Sequence, residues 1–372
     1  MKKRILITGG AGFIGSHLAD ELLAHGYFVR VLDSLIPQVH GESNERPVYL
    51  SSDVELAVGD VRDACAVERA LQGVDAVFHL AAAVGVGQSM YQIGHYTSVN
   101  NGGTANLFEC LAKHPVERLV VASSMSIYGE GLYRNVAGEL IPTTERSIEQ
   151  LKAKRWELYD EDGSELTPVA TPETKLPALS SIYALSKYDQ ERMCLILGKA
   201  YNIPTVALRF FNVYGTRQSL SNPYTGVLAI FASRLLNNEP PLINEDGNQK
   251  RDFVSVLDVA DACRRALESP DADGYAINIG SGLAVSVLEL AQLLAEMLER
   301  KEAGCEITFR YRKGDIRHCY ADIGLANRLL GYQPKVSLKA GMVDLVEWLE
   351  GQTAMDYVTR AQEELFTRGL AI

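Results

Sequence analysis

The sequence has few of the features that mark secreted, metal-stabilised or membrane proteins. Its six cysteines include no CxxC pair and no Cys/His cluster with the spacing of a zinc site, which excludes a metal centre of that type. No stretch approaches the ~18 apolar residues of a membrane span. The basic start Met1–Arg4 precedes only three apolar residues, Ile5–Ile7, too few for a signal-peptide core. These absences predict a cytoplasmic protein with reduced thiols, no metal and no membrane partner.

The chain also lacks the positive charge that nucleic-acid binding requires. With 36 basic and 47 acidic residues, its formal net charge is −11, which argues against nucleic acid or an anionic membrane as the main partner. Hydrophobic residues make up 47% and charged residues 22% of the 372 positions, as in ordinary globular proteins. The length predicts one large domain or two intergrown ones.

A glycine-rich turn stands near the start of the chain, between a strand and a helix. Arg4–Thr8 is a short apolar run that predicts a buried strand, and Ser16–Leu23 has helical periodicity. Gly9, Gly12 and Gly15 lie between them. Glycines at this spacing allow a tight turn and let the backbone approach a pyrophosphate, which the N–H groups of the helix N-terminus then bind. The strand, turn and helix together predict a dinucleotide site.

The second predicted strand, Phe28–Asp33, ends in a carboxylate 18 residues after Gly15. A carboxylate at this position accepts hydrogen bonds from a ribose 2′-hydroxyl and repels a 2′-phosphate. Asp33 therefore favours NAD over NADP.

Further strand-like runs alternate with helical stretches through the first half of the chain. They are Val54–Val58, Ala76–Leu80 and Arg118–Ser124. Strands that alternate with helices imply a parallel sheet with right-handed crossovers. The pattern predicts an α/β fold with a doubly wound Rossmann sheet and a smaller C-terminal α/β lobe that binds substrate.

Small and polar residues follow these strands. Asp60 and Val61 come after the third strand, where an adenine ring lies in a doubly wound sheet. Ala81–Ala83 follow the fourth strand and let a dinucleotide approach the backbone. Asn100 lies in a helical stretch that runs to about Lys113. These positions extend the predicted dinucleotide site along one edge of the sheet.

Tyr183 and Lys187 are four residues apart, and Tyr183 is the only one of 17 tyrosines with a lysine at that distance. On a helix this spacing puts both side chains on one face. A lysine cation favours the tyrosine phenolate, so the pair can act as a general base near neutral pH.

Taken together, these motifs resemble the extended short-chain dehydrogenase/reductase family, and within it the NAD-dependent nucleotide-sugar epimerases and dehydratases. The resemblance runs from Ile5 to about Trp348. It implies a bound NAD, a catalytic group of Ser124, Tyr183 and Lys187, a nucleoside-diphosphate sugar as substrate, and a homodimer.

The motifs and the resemblance indicate two sets of binding residues. The cofactor-binding set is Gly9, Gly12, Phe13, Ile14, Gly15, Asp33, Asp60, Val61, Leu80, Ala81, Ala82, Asn100, Ser123, Tyr183, Lys187 and Phe210. The substrate-binding set is Ser124, Ser126, Tyr183, Asn212, Arg251 and Arg317. In the family, arginines that match Arg251 and Arg317 lie near the diphosphate, and guanidinium groups suit phosphate oxygens.

The resemblance divides the chain into two lobes, and the pattern of apolar residues predicts a tail after them. The NAD-binding domain is expected to take residues 1–212 and about 253–280, and the sugar-binding lobe residues 213–252 and 281–350. Residues 351–372 form a helical tail whose apolar side could pack on the body or on a partner.

A long charged insertion, residues 131–176, interrupts the NAD-binding domain. Tyr128 and Tyr183 are 55 residues apart, many more than separate the matching tyrosines of UDP-galactose 4-epimerases. A loop of this length needs internal structure, and Ser147–Trp156 is a candidate helix. Two roles stay open: the insertion walls the sugar pocket, or it elaborates the surface without touching substrate.

The residues after Ser124 separate the reactions of the family. Related dehydratases and decarboxylases carry acidic residues at positions that match Met125 or Ser126, and the 3,5-epimerases carry a cysteine at Met125. Methionine transfers no proton, so the resemblance implies 4-epimerisation by transient oxidation at sugar C4. The segment from Ser123 to Gly129, the insertion and Ser221–Thr225 are most similar to bacterial dTDP-L-rhamnose 4-epimerases, which suggests dTDP-L-rhamnose and dTDP-6-deoxy-L-talose, or another NDP-hexose.

Two alternatives remain. An NDP-4-keto-sugar reductase, or another NAD-dependent sugar-nucleotide-modifying enzyme, would use the same residues with net hydride transfer. A non-enzymatic NAD-binding protein would have kept the fold without needing Ser124, Tyr183 and Lys187.

Overall fold

The structure is a computed structural model that describes residues 2–42, 45–141, 145–224, 226–312 and 314–371. The strands are β1 (Arg4–Thr8), β2 (Phe28–Asp33), β3 (Glu55–Val58), β4 (Ala76–His79), β5 (Arg118–Ser124), β6 (Leu132–Arg134), β7 (Leu140–Ile141), β8 (Thr167–Val169), β9 (Thr205–Phe210), β10 (Asn212–Tyr214), β11 (Leu242–Ile243), β12 (Lys250–Arg251), β13 (Phe253–Ser255), β14 (Ala276–Ile279), β15 (Val285–Ser286), β16 (Glu306–Ile307) and β17 (His318–Cys319). The helices are α1 (Phe13–Ala24), α2 (Pro37–His40), α3 (Ala64–Leu71), α4 (Val86–Ser89), α5 (Ile93–Tyr96), α6 (Gly103–Leu111), α7 (Ile148–Lys152), α8 (Ile182–Ala200), α9 (Val227–Leu236), α10 (Val256–Glu268), α11 (Val287–Met297), α12 (Gly324–Leu330), α13 (Leu338–Leu349) and α14 (Val358–Thr367). Thr225, part of the Ser221–Thr225 similarity, and residues 142–144 of the predicted insertion lie outside the described residues.

A seven-stranded sheet, in the order β14-β9-β5-β4-β1-β2-β3, forms the centre of the molecule. Every neighbouring pair in it is parallel. The order reverses between β1 and β4, as in a doubly wound Rossmann sheet, and such a reversal opens a crevice at the carboxyl ends of the strands. The predicted fold class is confirmed.

Successive residues of the central strands supply opposite faces of this sheet, as strand geometry requires. Ile5 and Ile7 of β1 pack into one core with α1 and α10, whereas Leu6 packs into the other with α3, α6 and α8. All three side chains are fully buried. Helices therefore cover both faces, and the carboxyl edge of the strands is left for ligands.

The smaller lobe has a core of its own, built from α9, α11 and α13. Its helix α11 begins only at Val287, because Val285–Ser286 forms strand β15 against β12. The short strand His318–Cys319 pairs with β12 in the same small sheet. Segment 253–280 returns to the NAD-binding side, where β14 pairs with β9 at the sheet edge. The exact division into domains stays a prediction.

The insertion folds into a small three-stranded antiparallel sheet, β7-β6-β8. Tyr133, Leu158 and Leu166 fill its own small core. The predicted helix 147–156 is limited to Ile148–Lys152, capped by Ser147. None of its described residues lines the central cavity, so the structure favours the second of the two roles left open above.

The described part of the chain contains no helix that is both long and apolar enough to cross a membrane. The tail forms helix α14, whose buried side chains are Val358, Ala361 and Leu365.

Candidate active site

A cavity of about 420 Å³ lies along the carboxyl edge of the sheet. Most of the predicted site residues line it: Gly9, Gly12, Phe13, Ile14, Gly15, Asp33, Asp60, Val61, Leu80, Ala81, Ala82, Ser123, Ser124, Tyr183, Lys187, Phe210 and Asn212. Four predicted residues do not line it: Asn100, Ser126, Arg251 and Arg317. The fold thus brings the glycine turn and the Tyr183–Lys187 pair, far apart in sequence, into one cavity.

The glycine turn has the shape of a phosphate cradle. Gly9 has a positive φ of +69°, and a Cβ there would come within 2.8 Å of the Ala81 Cα. A Cβ on Gly15 would lie 2.5 Å from the Gly10 Cα, so a larger residue would push the helix from the turn. Helix α1 begins at Phe13 with Gly12 as its N-cap and no side-chain cap. Its first N–H groups are therefore available to a pyrophosphate.

The Asp33 carboxylate, at the end of β2, lies beside the glycine turn. Its Oδ2 accepts a hydrogen bond from the Ala11 N–H at 3.0 Å, and its Oδ1 accepts one from the Leu35 N–H at 3.0 Å. The Nε2 of His40, which sequence reasoning did not single out, lies 3.6 Å from Oδ1. The backbone thus holds the carboxylate at the end of β2, with lone pairs left for ribose hydroxyls.

Asp60 lies at the same end of the cavity and carries an unexpected partner. Both its oxygens bond the Arg62 guanidinium, at 3.0 and 2.6 Å. These hydrogen bonds hold the pKa of Asp60 below its usual range. Val61 packs against Gly103, where a Cβ would come within 2.6 Å of the valine Cγ2. Asp60 and Arg62 form an ionised rim beside the predicted adenine position.

Helix α8 brings Tyr183 and Lys187 to the cavity. The Ser181 hydroxyl caps the helix by accepting from the Ala184 N–H at 3.1 Å. Tyr183 is half-buried, and Lys187, one turn further along the helix, is 3% exposed. Its Nζ donates to the Gln190 Oε1 at 2.7 Å, so Gln190 fixes the ammonium group from within the same helix.

Ser124, at the end of β5, completes the predicted catalytic group. Its hydroxyl is hydrogen-bonded to Tyr183. Its Oγ also accepts from the N–H of Ser126 at 3.2 Å and from the Ser126 hydroxyl at 3.0 Å. Ser126 does not line the cavity and donates to Ser124 from outside it; its contact with substrate stays a prediction.

Burial controls the pKa values of the two catalytic titrating groups. It raises the pKa of Tyr183, and the hydrogen bond with Ser124 acts in the opposite direction. It lowers the pKa of Lys187 to about 8. The expected depression of the tyrosine pKa by Lys187 does not appear in this structure. The positive charge of an oxidised nicotinamide beside Tyr183 would favour the phenolate in the same way as any nearby cation.

Asn100 does not line the cavity but holds two of the segments around it in place. It lies in a single π-helical turn, Thr97–Gly102, that leads into α6 and belongs to the predicted helical stretch. Its side chain accepts from the Ala83 N–H at 2.7 Å, donates to the Ala83 carbonyl at 3.1 Å and donates to the Ser186 hydroxyl at 2.9 Å. It thereby joins the loop after β4 to the catalytic helix.

A buried polar network that sequence reasoning missed supports the same helix. The Nε2 of Gln190 donates to the Thr104 hydroxyl at 2.9 Å, and Thr104 also contacts the His79 Nε2 at 2.9 Å. On the other side, Glu191 accepts from the Ser123 hydroxyl at 2.6 Å and pairs with Arg209 at 2.7 Å. Gln190 lies three residues after Lys187, so helical spacing could have indicated it.

Neither of the two predicted phosphate arginines lines this cavity, and the contact of Arg251 with a diphosphate stays a prediction. Arg251 donates to the backbone carbonyls of Lys250 and Arg317, both at 2.9 Å, and to that of Ile316. Arg317 is fully buried, and its guanidinium is bonded to the carboxylates of three residues. These are Glu157, Glu245 and Asp246. Arg317 therefore joins the insertion to the smaller lobe, which corrects the expectation that it contacts a diphosphate.

Comparison with known proteins gives a consistent result. The profile of the NAD dependent epimerase/dehydratase family matches residues 5–280. A dTDP-L-rhamnose 4-epimerase of Burkholderia thailandensis is 37% identical over 352 residues, which cover 93% of this chain and 95% of the relative. The crystal structure of a Thermotoga maritima UDP-glucose 4-epimerase with UDP-glucose has a TM-score of 0.75 and 32% identity, covering 93% and 98% of the two chains. A Thermus thermophilus UDP-glucose 4-epimerase in complex with NAD has a TM-score of 0.73 and 29% identity, covering 94% and 100%.

Proposed function

The chain belongs to the NAD-dependent epimerase/dehydratase family, and we propose that it interconverts C4 epimers of a nucleotide sugar, with dTDP-L-rhamnose and dTDP-6-deoxy-L-talose as the first candidates. NAD is its coenzyme. The observation that carries this proposal is the position of Ser124, Tyr183 and Lys187 in one cavity with the glycine cradle.

The residues have separate tasks in the reaction. Bound NAD supplies the chemistry of accepting a hydride from sugar C4 and returning it. Tyr183 removes the C4 hydroxyl proton and later gives it back, while Ser124 hydrogen-bonds the same oxygen. Lys187 lies one turn from Tyr183; it does not lower the tyrosine pKa in this structure, so we assign the stabilisation of the phenolate to Lys187 and the oxidised nicotinamide acting together once NAD is bound. The 4-keto sugar turns over between the two steps, so the product is the C4 epimer with no net redox change.

The residue after Ser124 supports epimerisation over elimination. Met125 is buried against Ile127 and Tyr128 and has no proton to transfer. A dehydratase needs a further acid or base beside the reacting carbon. A single tyrosine that moves one proton out and back suits an epimerase.

The cavity suits a neutral sugar. Strand pairing sets Phe210 beside Ser124, so the apolar residues that follow Phe210 flank the catalytic group. Among the described lining residues, the lysine and arginine side chains are Lys187, bonded to Gln190, and Arg62, bonded to Asp60. A sugar carboxylate would lack a cation to pair with, whereas a 5-methyl group meets apolar side chains such as Val213.

We also propose a cytoplasmic homodimer of the two-lobed chain predicted above. Helix α8 exposes Leu185 and Ile196, at 41% and 56%, and a second copy would cover them. All six cysteines are free thiols, which supports a reducing compartment.

The test is incubation of the purified protein with dTDP-L-rhamnose and, separately, UDP-glucose, without added coenzyme. NMR of the sugar should show a C4 epimer in the wild type and none with Tyr183→Phe. Substrate turnover only with stoichiometric NADH or NADPH would identify the protein as a ketoreductase instead. The absence of turnover under every condition would favour the non-enzymatic alternative.

A further inference from the structure

The C-terminal tail, residues 351–371, runs across the boundary between the smaller lobe and the NAD-binding domain. Its first part is fixed to the end of α9. The Asn237 side chain donates to the Ala354 carbonyl at 2.9 Å, and Arg234 pairs with Asp356 at 2.9 Å. The Met355 N–H donates to the Ser221 hydroxyl at 3.0 Å. The tail is thus anchored on the lobe before α14 begins.

Helix α14 then packs on the NAD-binding domain through its apolar side. Leu365 is buried and lies over Gly87 of the short helix α4, where a Cβ would meet the leucine Cδ1 at 3.3 Å. Glycine lets the two helices approach this closely.

Glu364 stands at the centre of this contact and joins the two halves of the molecule. Its Oε2 accepts from the Tyr91 hydroxyl at 3.1 Å and from the Tyr224 hydroxyl at 3.3 Å. The two hydroxyls are themselves 2.6 Å apart. Tyr91 follows α4 in the NAD-binding domain, whereas Tyr224 precedes α9 of the lobe. The Arg368 guanidinium lies 4.4 Å from the Tyr91 ring centre and pairs with Glu364 at 3.2 Å.

The other side of α4 touches the catalytic tyrosine. The Ser89 hydroxyl accepts from the Tyr183 N–H at 3.0 Å. Gln88 accepts from the Tyr96 hydroxyl at 3.1 Å, and the Tyr96 ring packs edge-on against the Tyr183 ring at 6.4 Å. Helix α4 therefore has the tail on one side and the catalytic residue on the other.

The segments that the tail ties together also border the cavity. Val84 lines it immediately before Gly85, against which the Tyr224 side chain packs. Asn222, another lining residue, accepts from the Tyr224 N–H at 3.1 Å. Through Tyr91 and Tyr224, the Glu364 carboxylate thus joins the two segments that border the cavity at Val84 and Asn222.

We infer that the C-terminal tail holds together the two segments that border the cavity at Val84 and Asn222, and that Glu364 is the positioning residue that sets α4 against Tyr183. The inference rests on the proposed epimerase function. Once C4 is oxidised, the ketone must stay until the hydride returns. If it leaves early, the two electrons remain on the coenzyme and the enzyme stops. Hydrogen bonds that hold the two cavity walls together through Glu364 make the escape of the ketone slower.

Glu364→Ala tests this inference. Glu364→Gln is the conservative variant, because it keeps an acceptor oxygen. Glu363→Ala is the control, because Glu363 is an exposed neighbour on the same helix. Loss of a hydrogen-bond acceptor for two hydroxyls should raise KM for the nucleotide sugar about three- to tenfold, with kcat changed less. Absorbance of the reduced coenzyme should build up during turnover in Glu364→Ala as the ketone escapes. Glu364→Gln should restore most of the affinity, and Glu363→Ala should match the wild type.

Hydrogen exchange of residues 85–91 gives a readout that does not need turnover. In Glu364→Ala these amides should exchange faster than in the wild type and in Glu363→Ala. Wild-type KM, wild-type exchange and no build-up of reduced coenzyme in Glu364→Ala would overturn the inference. If the wild type itself forms no epimer, the proposed function fails, while the exchange experiment still decides whether Glu364 holds α4.

Discussion

Replacement of Arg317 by methionine tests whether this arginine serves the fold or the substrate. The guanidinium is fully buried and donates to Glu157, Glu245 and Asp246 through all three of its nitrogens. Methionine is also long and flexible but has no charge. The main effect of Arg317→Met is therefore the loss of one cation from a buried group of carboxylates.

The expected loss of stability follows from the exposure of those carboxylates. Glu245 is 1% exposed and keeps its ion pair with Arg146 at 2.7 Å, whereas Glu157 and Asp246 are 25% and 26% exposed. Removal of one partner of a buried ion pair costs about 3–5 kcal/mol, and partial solvent screening favours the lower end, about 3 kcal/mol. In a chain of this length that corresponds to a fall of about 4 °C in Tm.

The assay is thermal unfolding followed by circular dichroism. The control is Lys301→Met, because Lys301 is 67% exposed and pairs at 2.9 Å with Glu296, which is 59% exposed. An exposed ion pair contributes little, so this variant should unfold within about 1 °C of the wild type.

The pH dependence provides a second check. Burial by itself would raise the pKa of Glu157, but hydrogen bonds from His318 and Arg317 outweigh it and hold the pKa at about 2. Burial by itself would also raise the pKa of Asp246, but hydrogen bonds, chiefly from Arg317, outweigh it and hold the pKa at about 2. A lowered carboxyl pKa contributes stability that is present above the unfolded pKa and is lost as pH falls towards 2. The difference between Arg317→Met and the wild type should therefore be larger at about pH 7.5 than at about pH 4.5.

One result would refute this reasoning. If Arg317→Met unfolds within about 1 °C of the wild type but is no longer stabilised by a nucleotide sugar, the arginine acts on the substrate and not on the insertion.

Three further predictions concern the cavity. Tyr183→Phe should lower kcat about 10²- to 10⁴-fold and leave NAD bound, as measured by coenzyme released on denaturation; loss of the coenzyme would mean a structural role. Asp33→Ala should weaken NAD binding about tenfold in calorimetric titration, because one charged acceptor for ribose is lost; unchanged affinity would contradict the assigned role. Gln190→Leu removes the acceptor of the Lys187 ammonium, so it should lower the lysine pKa further and shift the basic limb of the pH–rate profile to lower pH; an unmoved profile would count against this contact.

The fold could be predicted because its signals are local and repeat along the chain. Alternation of apolar strands and helices indicated the parallel sheet, and Gly9 and Gly15 marked backbone positions that admit no Cβ. Tyr183 and Lys187 were recognisable because a helix has a fixed period. The exact ends of α11 and of the short strand at His318 could not be predicted, since pairing with distant segments decides them.

The arginines show where a sequence pattern fails. The family resemblance points to Arg251 and Arg317, and guanidinium groups do suit phosphate. Yet Glu157 is 160 residues from Arg317, and Glu245 is 72 residues away. Nothing local in the sequence indicates that these carboxylates reach the arginine first.

The sequence by itself determined the doubly wound sheet and the glycine turn, and it predicted a carboxylate for ribose and a catalytic tyrosine and lysine, because each depends on the spacing of a few neighbouring residues. Only the tertiary structure decided which groups hold those residues in place. Gln190 bonds Lys187, Ser126 orients Ser124, Asn100 joins a loop to the catalytic helix, and Glu364 ties the tail across the cavity. Such contacts join side chains that differ widely in sequence position, and packing of the whole chain sets their distances.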